Sequence, residues 1–371
     1  LAHVAQQESI FGANVVRRAE VDDRSCAGLK DIESDIDAQV NRELSAERTA
    51  MKTASPGAPI FAPLFLLHVW QRLGQGAISP IEMFVESLAA TKRNIPPDSL
   101  AGTKYSGVDV VNQFYKLQTK GLAHVVGSAA KIHGICVGAD KLAHLFDQGF
   151  AYFNLAAKPG TTTADTENLG REMETGIFGL GATGVFSSAD LAANRAGLQF
   201  YKDLEKNPDG FKFKIRNYIT SQWNEQVNPN FYDSQVASVV WSNLLTGPWT
   251  GSFTSTGVTT PFKSFNLSAT TSGSVTGTFE LQAKASAGAS KEIKIKNGKI
   301  TQRTTSVSVS PTSGPATTVT PVSGISIEFE WERDAMSGKG RLDSVNEQTL
   351  EGTWGLGSAT TGAGILKLTK V

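Results

Sequence analysis

Up to about residue 245 the apolar residues recur at intervals of three and four; beyond it they alternate with polar ones. In AGLKDIESDIDAQVNRELSAERTAM (27–51), Leu29, Ile32, Ile36, Val40 and Leu44 make one stripe with acids and bases elsewhere, which predicts an amphipathic helix. SPIEMFVESLAATK (79–92) opens with Ser79 as a cap, Pro80 at the first helical position and Glu82 three residues after the cap. Further helices are predicted over 107–132 (one or two), 140–153 and 188–206, the last ended by Asn207, Pro208, Asp209 and Gly210. The aromatic-rich stretch 211–232 is expected to be irregular and packed on the helices. Short connections between helices suggest an antiparallel, bundle-like arrangement.

The segments 273–282, 291–309 and 324–332 carry the period-two pattern of strands, and Asn297-Gly298 is the favoured pair for a tight hairpin turn. Gly-(Ser/Thr)-aromatic recurs at Gly251–Phe253, Gly277–Phe279 and Gly352–Trp354, a repeated strand device. SVSPTSGPATTVTPVSG (308–324) reads as a low-complexity loop between strands. About eight strands fit between 248 and 370, enough for a closed barrel or a sandwich. The expectation is an α+β protein of two domains. Residues 1–245 form a mainly helical domain, and residues 246–371 an antiparallel β-barrel or sandwich.

Charge and composition narrow the function classes. Lys+Arg and Asp+Glu both number 35, so nothing draws the chain to nucleic acid or anionic lipid, and it lacks a phosphate-binding loop and a dinucleotide fingerprint. The most apolar run, APIFAPLFLLHVW (58–70), is broken by Pro63 and too short to span a bilayer; it fits a core helix or an interfacial segment. The chain opens on Leu1, which leads to the expectation of a processed form without its targeting peptide. Cys26 and Cys136 leave two readings open, one bridge or two buried thiols, and exclude a metal site built on Cys pairs.

All five His precede residue 246, so candidate chemistry concentrates in the helical part. On the 140–153 helix, Asp140, His144 and Asp147 share a face, and Lys141 lies within reach of His144. The 188–206 helix presents Asp190, Asn194, Gly197 and Tyr201 on one face, and between the two helices lie Arg171, Glu172 and Glu174. Carboxylate, imidazole and amide groups facing inward from two helices are how bundles build metal or acid–base sites. Asp140 and His144 have the spacing to ligate one divalent ion. Each residue also has a plainer explanation. Asp140 suits a helix cap, Ser187 with Asp190 a capping box, and His144 a core histidine with one hydrogen bond. His133 and Cys136 read as turn and packing residues. In EFEWERD (328–334) the acids alternate with core aromatics, as on any half-buried strand.

The order Asp-Lys-x-x-His … Glu … Asp-x-x-x-Asn-x-x-Gly, carried by Asp140, Lys141, His144, Asp190, Asn194 and Gly197, resembles motifs of VanZ-like membrane proteins and YfiM-like predicted periplasmic lipoproteins. Glu172 or Glu174 stands for the middle acid. VanZ-like chains are strongly hydrophobic and this one is not, and the Gln and Arg that come after their middle Glu have no match here. The resemblance implies an extracytoplasmic protein, secreted or periplasmic, and a site rather than a reaction. Gly247-x-Trp249 resembles the Gly-x-Trp of lipocalin and avidin-like barrels, which implies an interior able to hold a small apolar ligand.

Two functions stand as expectations. The first is a binding protein for a small molecule or cell-surface component, with a buried polar site in the helical domain. The alternative is a hydrolase, using a divalent metal or acid–base chemistry. In it Asp140, His144, Asp190 and Lys141 would be catalytic, and Asn194, Arg171, Glu172 and Glu174 would contact the ligand.

Overall fold

The computed structural model describes residues 26–75, 79–94, 100–108, 128–176, 179–181, 183–282, 292–310 and 316–371. These fall into two compact units, one from residues 1–100, 109–230 and 308–319, the other from 101–108, 231–307 and 320–371. The α+β layout is as expected, with helices first and an antiparallel barrel after them.

The helical unit begins with α1 (Glu33–Ala54), α2 (Ala62–Leu73) and α3 (Pro80–Ser87). The apolar stripe of α1 packs inward, with Ile32, Ile36, Val40 and Leu44 fully buried. Ser79 caps α3 by accepting from the Glu82 amide at 3.2 Å. Of the helices expected over 107–132, residues 109–127 lie outside the described residues, and the end of that span is a strand instead. β1 (Arg93–Asn94), β2 (Ala129–Ile132) and β3 (Ile135–Gly138) form an antiparallel sheet whose tight β2–β3 turn holds His133 and Gly134 at positive φ. Three amides close on Asp31 beside this turn, those of Glu33, His133 and Gly134. A disulfide joins Cys26 to Cys136 on β3, which decides between the two readings of the cysteines.

Directly after β3 comes α4 (Asp140–Ala143), then one π-helical turn (His144–Gln148) and α5 (Gly149–Ala156). α6 (Thr163–Thr175), the short strand β4 (Val185–Phe186) and α7 (Ser188–Lys206) complete the set. Where α5 crosses α7, a side-chain carbon on Gly149 would meet the Gly197 backbone and one on Gly197 the Leu145 carbonyl oxygen. The two helices can approach this closely only because both residues lack one. Residues 211–232 are irregular, as expected. They contain two 3-10 turns (Ile215–Asn217 and Ser221–Trp223) and bury Phe213, Ile215 and Trp223 in the core.

In the second unit β5 (Phe231–Tyr232) and α8 (Ser234–Leu245) precede eight long strands: β6 (Gly247–Ser255), β7 (Val258–Ala269), β8 (Ser274–Leu281), β9 (Glu292–Thr304), β12 (Val322–Arg333), β13 (Met336–Asn346), β14 (Thr349–Leu356) and β15 (Gly364–Lys370). Each pairs antiparallel with the next, β15 pairs with β6, and the barrel is closed. Inside, Trp331 lies 4.7 Å from Trp354 and Phe265 stacks 5.1 Å from Phe279. The three recurrent glycines sit where a neighbouring strand's carbonyl oxygen comes too close for any side chain, the device a tightly coiled sheet requires.

Two sequence expectations change here. Asn297-Gly298 is not a hairpin turn: β9 runs through it, paired on both sides, and Asn297 takes φ 51° as a bulge that shifts the register against β12. Asn297 Nδ2 then bonds Glu330 Oε2 at 2.7 Å across the strands. The low-complexity segment also contains strand structure, since Val307–Val309 (β10) and Thr317–Val319 (β11) pair with each other.

Candidate functional site

Lys141 enters the helical unit's interior because β3 delivers it, through Gly138 and Ala139, onto the first turn of α4. Its side chain is fully buried, and Nζ lies 3.0 Å from Asp140 Oδ2, 2.6 Å from Asp190 Oδ1 and 2.9 Å from Glu225 Oε1. Glu225 in turn accepts from Asn230 Nδ2 at 2.8 Å. One ammonium thus answers three buried carboxyl groups from three parts of the chain. An ammonium with three donors can do this only if each carboxyl is near at hand, because a buried charge without partners is strongly disfavoured.

His144 lies one turn further on. Its Nε2 is 3.0 Å from Asp190 Oδ2 and its Nδ1 3.0 Å from Asn194 Oδ1. The Asp190 carboxylate accepts from Nε2, and its negative charge favours the protonated ring. Burial opposes the ring's charge, but the charge and hydrogen bond of Asp190 outweigh it and lift His144 to about 10. Burial also disfavours the Asp190 carboxylate, yet His144 and Lys141 hold it well below its ordinary value. The other two acids go the opposite way. Burial pushes Asp140 up to about 7 against the pull of Lys141, and burial reinforced by Asp190 pushes Glu174 well above the usual carboxylate range.

The π-helical turn sets which residues join this group. An α-helical register would keep Asp147 on the face of Asp140 and His144. The wider turn rotates it away, and it accepts from Trp70 Nε1 at 2.7 Å instead. π turns of this kind recur at functional sites. Ser187 caps α7 by accepting from the Asp190 amide at 3.2 Å, but the Asp190 carboxylate does not close a capping box; it turns to Lys141 and His144. Asp140 is likewise no cap, since it is the first helical residue and pairs with Lys141.

Of the residues picked out from the sequence, Asp140, Lys141, His144, Glu174, Asp190 and Asn194 come together, all buried except for the His144 side chain, which is 11% exposed. Glu174 is the middle acid: it is fully buried and its Oε2 accepts from the Ser187 amide at 3.2 Å. Arg171 and Glu172 sit on the half-exposed side of α6, where Arg171 bonds Asn168 at 3.4 Å. Glu225, Asn230 and Tyr152 were not anticipated. Glu225 is the only acid in the aromatic-rich stretch 211–232, a signal that was there to read. Tyr152 had none, because its entry into the site depends on Gly170, where any side chain would collide with its hydroxyl.

Around His144, Tyr152 Oη, Glu174 Oε1, Asn194 Nδ2 and both ion-paired oxygens of Asp190 are buried without a hydrogen bond of ordinary geometry. The Tyr152 hydroxyl makes a hydrogen bond of poor geometry with the Asn194 side chain and feels the charge of Glu174, and Glu174 in turn feels His144. Each such atom costs about 1–3 kcal/mol if nothing meets it. Asp140, His144 and Asp190 each offer one ligand atom, all within 4.8 Å of one another, as a divalent-ion site requires. Lys141 Nζ, however, already occupies the position among the carboxylates, and His144 Nε2 is committed to Asp190.

Elsewhere among the described residues, the acids of β12 behave as solvated strand residues. Glu330 meets Asn297, and Glu332 lies 2.5 Å from Lys296. No described helix is long and apolar enough to cross a membrane. Comparison of the chain with models of protein families, with curated proteins and with solved structures finds no match.

Proposed function

We propose that this is an extracytoplasmic binding protein whose helical unit holds a small polar ligand beside His144. The observation that carries the reading is the buried Glu174 Oε1, left without a hydrogen-bond partner in the cluster whose most exposed member is His144. A network built only for helix register would satisfy its own polar groups. The Cys26–Cys136 bridge supports the extracytoplasmic setting, since such bonds persist where the surroundings are oxidising. The matched residues of the VanZ-like and YfiM-like motifs agree with it too: Asp140, Lys141, His144, Asp190 and Asn194 share one cluster, and Gly197 lets α7 approach it.

The test is a titration of the full chain with small cations, neutral polar molecules and anions, tracking the Asn194 side-chain amide and His144 ring resonances by NMR. Saturable shifts at both support the reading, and a set in which nothing moves them contradicts it. A hydrolase remains the second reading, favoured by one observation. Asp140, held near the middle of the pH range at about 7, stands beside an imidazolium, the pairing general acid–base chemistry needs. Stoichiometric metal in the purified protein would favour that reading.

A further inference from the structure

At one end of the barrel, three hairpin tips each carry an exposed apolar side chain. Two-residue turns at Thr256-Gly257 and Asp334-Ala335 deliver Val258 and Met336 directly after them, and Leu356 ends β14 just before Gly357. Ile365, near the start of β15, adds a fourth. The four are between 48% and 64% exposed, and among the described residues of this unit only Val345 and Val371 are also large, apolar and exposed. The tips belong to neighbouring hairpins, because β13 pairs with β14 and β15 with β6. Ordinary strand spacing then sets adjacent tips about 10 Å apart along an arc of the barrel rim. The remaining connection at this end, 283–291, lies outside the described residues. Within the mouth, side-chain carbons on Gly338, Gly340 and Gly364 would meet Trp331, Phe329 and Trp354, so the barrel's own rings fill the space these glycines leave. The apolar surface at this end therefore faces outward.

What covers it follows from charge. The tip segments 255–258, 333–336 and 356–364 hold two charged residues, Arg333 and Asp334, which pair with each other at 3.7 Å. Apart from the apolar residues named, the rest of these segments is Gly, Ala, Ser and Thr. The wall below is different: on β9 and β12, Lys294, Lys296 and Lys299 stand opposite Glu332, Glu330 and Glu328. A neutral rim above a charged wall suits a partner that is apolar just beneath its surface and admits no charge deeper in. Short spikes on separate tips suit a fluid layer, which closes around each of them. We infer that this rim docks on the surface of a lipid bilayer, with Val258, Met336, Leu356 and Ile365 at the acyl boundary and the charged wall in water. Apolar burial drives the contact, so it needs no anionic lipid, in keeping with the balanced charge of the chain.

Co-sedimentation of the full chain with phosphatidylcholine vesicles tests this. The protein is expected to pellet with the vesicles, equally at low and high salt. Val258→Ser and Leu356→Ser should each weaken the partitioning about tenfold, because each takes an apolar side chain out of the acyl boundary. Val345→Ser, at the opposite end of β13, should leave it unchanged. All three substitutions fall on exposed side chains, and an unchanged circular dichroism spectrum separates lost binding from lost folding. Absence of pelleting overturns the proposal, and so does pelleting that the tip variants leave intact. Pelleting that requires added phosphatidylglycerol and disappears in salt overturns it as a charge-driven contact. A concentration-dependent dimer in sedimentation velocity, abolished by Leu356→Ser, overturns it in favour of a second copy on the same rim.

Discussion

Lys141 Nζ lies 2.6 Å from Asp190 Oδ1, with both side chains buried, and the same ammonium reaches Asp140 and Glu225. Removing it takes from Asp140, Asp190 and Glu225 the ammonium they share. Lys141→Met should therefore lower stability by about 3–5 kcal/mol in equilibrium denaturation, as expected when one partner of a buried ionic group is deleted. A loss below about 1 kcal/mol would mean that the carboxyl groups are not held by this lysine.

The ammonium also pairs with two of the three groups that could hold a divalent ion, Asp140 and Asp190. The wild-type chain is expected to hold no stoichiometric zinc or manganese at Asp140, His144 and Asp190 after dialysis, whereas Lys141→Ala should acquire an ion there. Elemental analysis of both proteins decides the matter. Metal in the wild type would turn the account toward the hydrolase.

The pH dependence has a definite sign. Native His144 keeps its proton up to about 10, while an unfolded imidazole releases it near about 6.5. Its contribution to stability is therefore complete below about 6.5 and is lost as pH rises through the folded value. Asp140, raised to about 7, adds a decline of the same sign between the unfolded carboxyl value and neutrality. Asp190, held low, contributes above the unfolded value of about 3.9 and loses that contribution only in stronger acid. Thermal unfolding should show the helical unit most stable in mild acid and weakening toward alkaline pH. His144→Leu should flatten the alkaline part of that slope; an unchanged slope would place the imidazolium elsewhere.

Gly197 bears on the site through the backbone. Its added methyl in Gly197→Ala would fall on the Leu145 carbonyl oxygen and push α7 from the π turn. The expected cost is about 1–3 kcal/mol, together with loss of the His144–Asn194 contact, seen as a changed Asn194 amide resonance. A variant with an unmoved resonance would show that the close crossing is not what positions Asn194.

The pairing of Asp140-Lys141-x-x-His144 with Asp190-x-x-x-Asn194 was legible because helical spacing places each set on one face. The alternation of β8, β9 and β12 pointed in the same way to an eight-stranded barrel or sandwich. What periodicity hides is a change of period. The π turn moved Asp147 to Trp70, and Asn297-Gly298 became a bulge because both neighbouring strands claimed β9. Glu225 reaches Lys141 from an irregular segment, and Tyr152 reaches Asn194 through the gap left by Gly170. Tertiary contacts of that kind leave no spacing to read.

The central claim is that the polar atoms around His144 wait for a ligand rather than brace the fold, and Tyr152→Phe tests it most directly. The substitution removes a buried hydroxyl whose one hydrogen bond, with Asn194, is of poor geometry. Equilibrium denaturation should find the variant as stable as the wild type, or more stable by up to about 1 kcal/mol. A loss of more than about 1 kcal/mol would mean that the hydroxyl already serves a structural hydrogen bond, and would contradict the account.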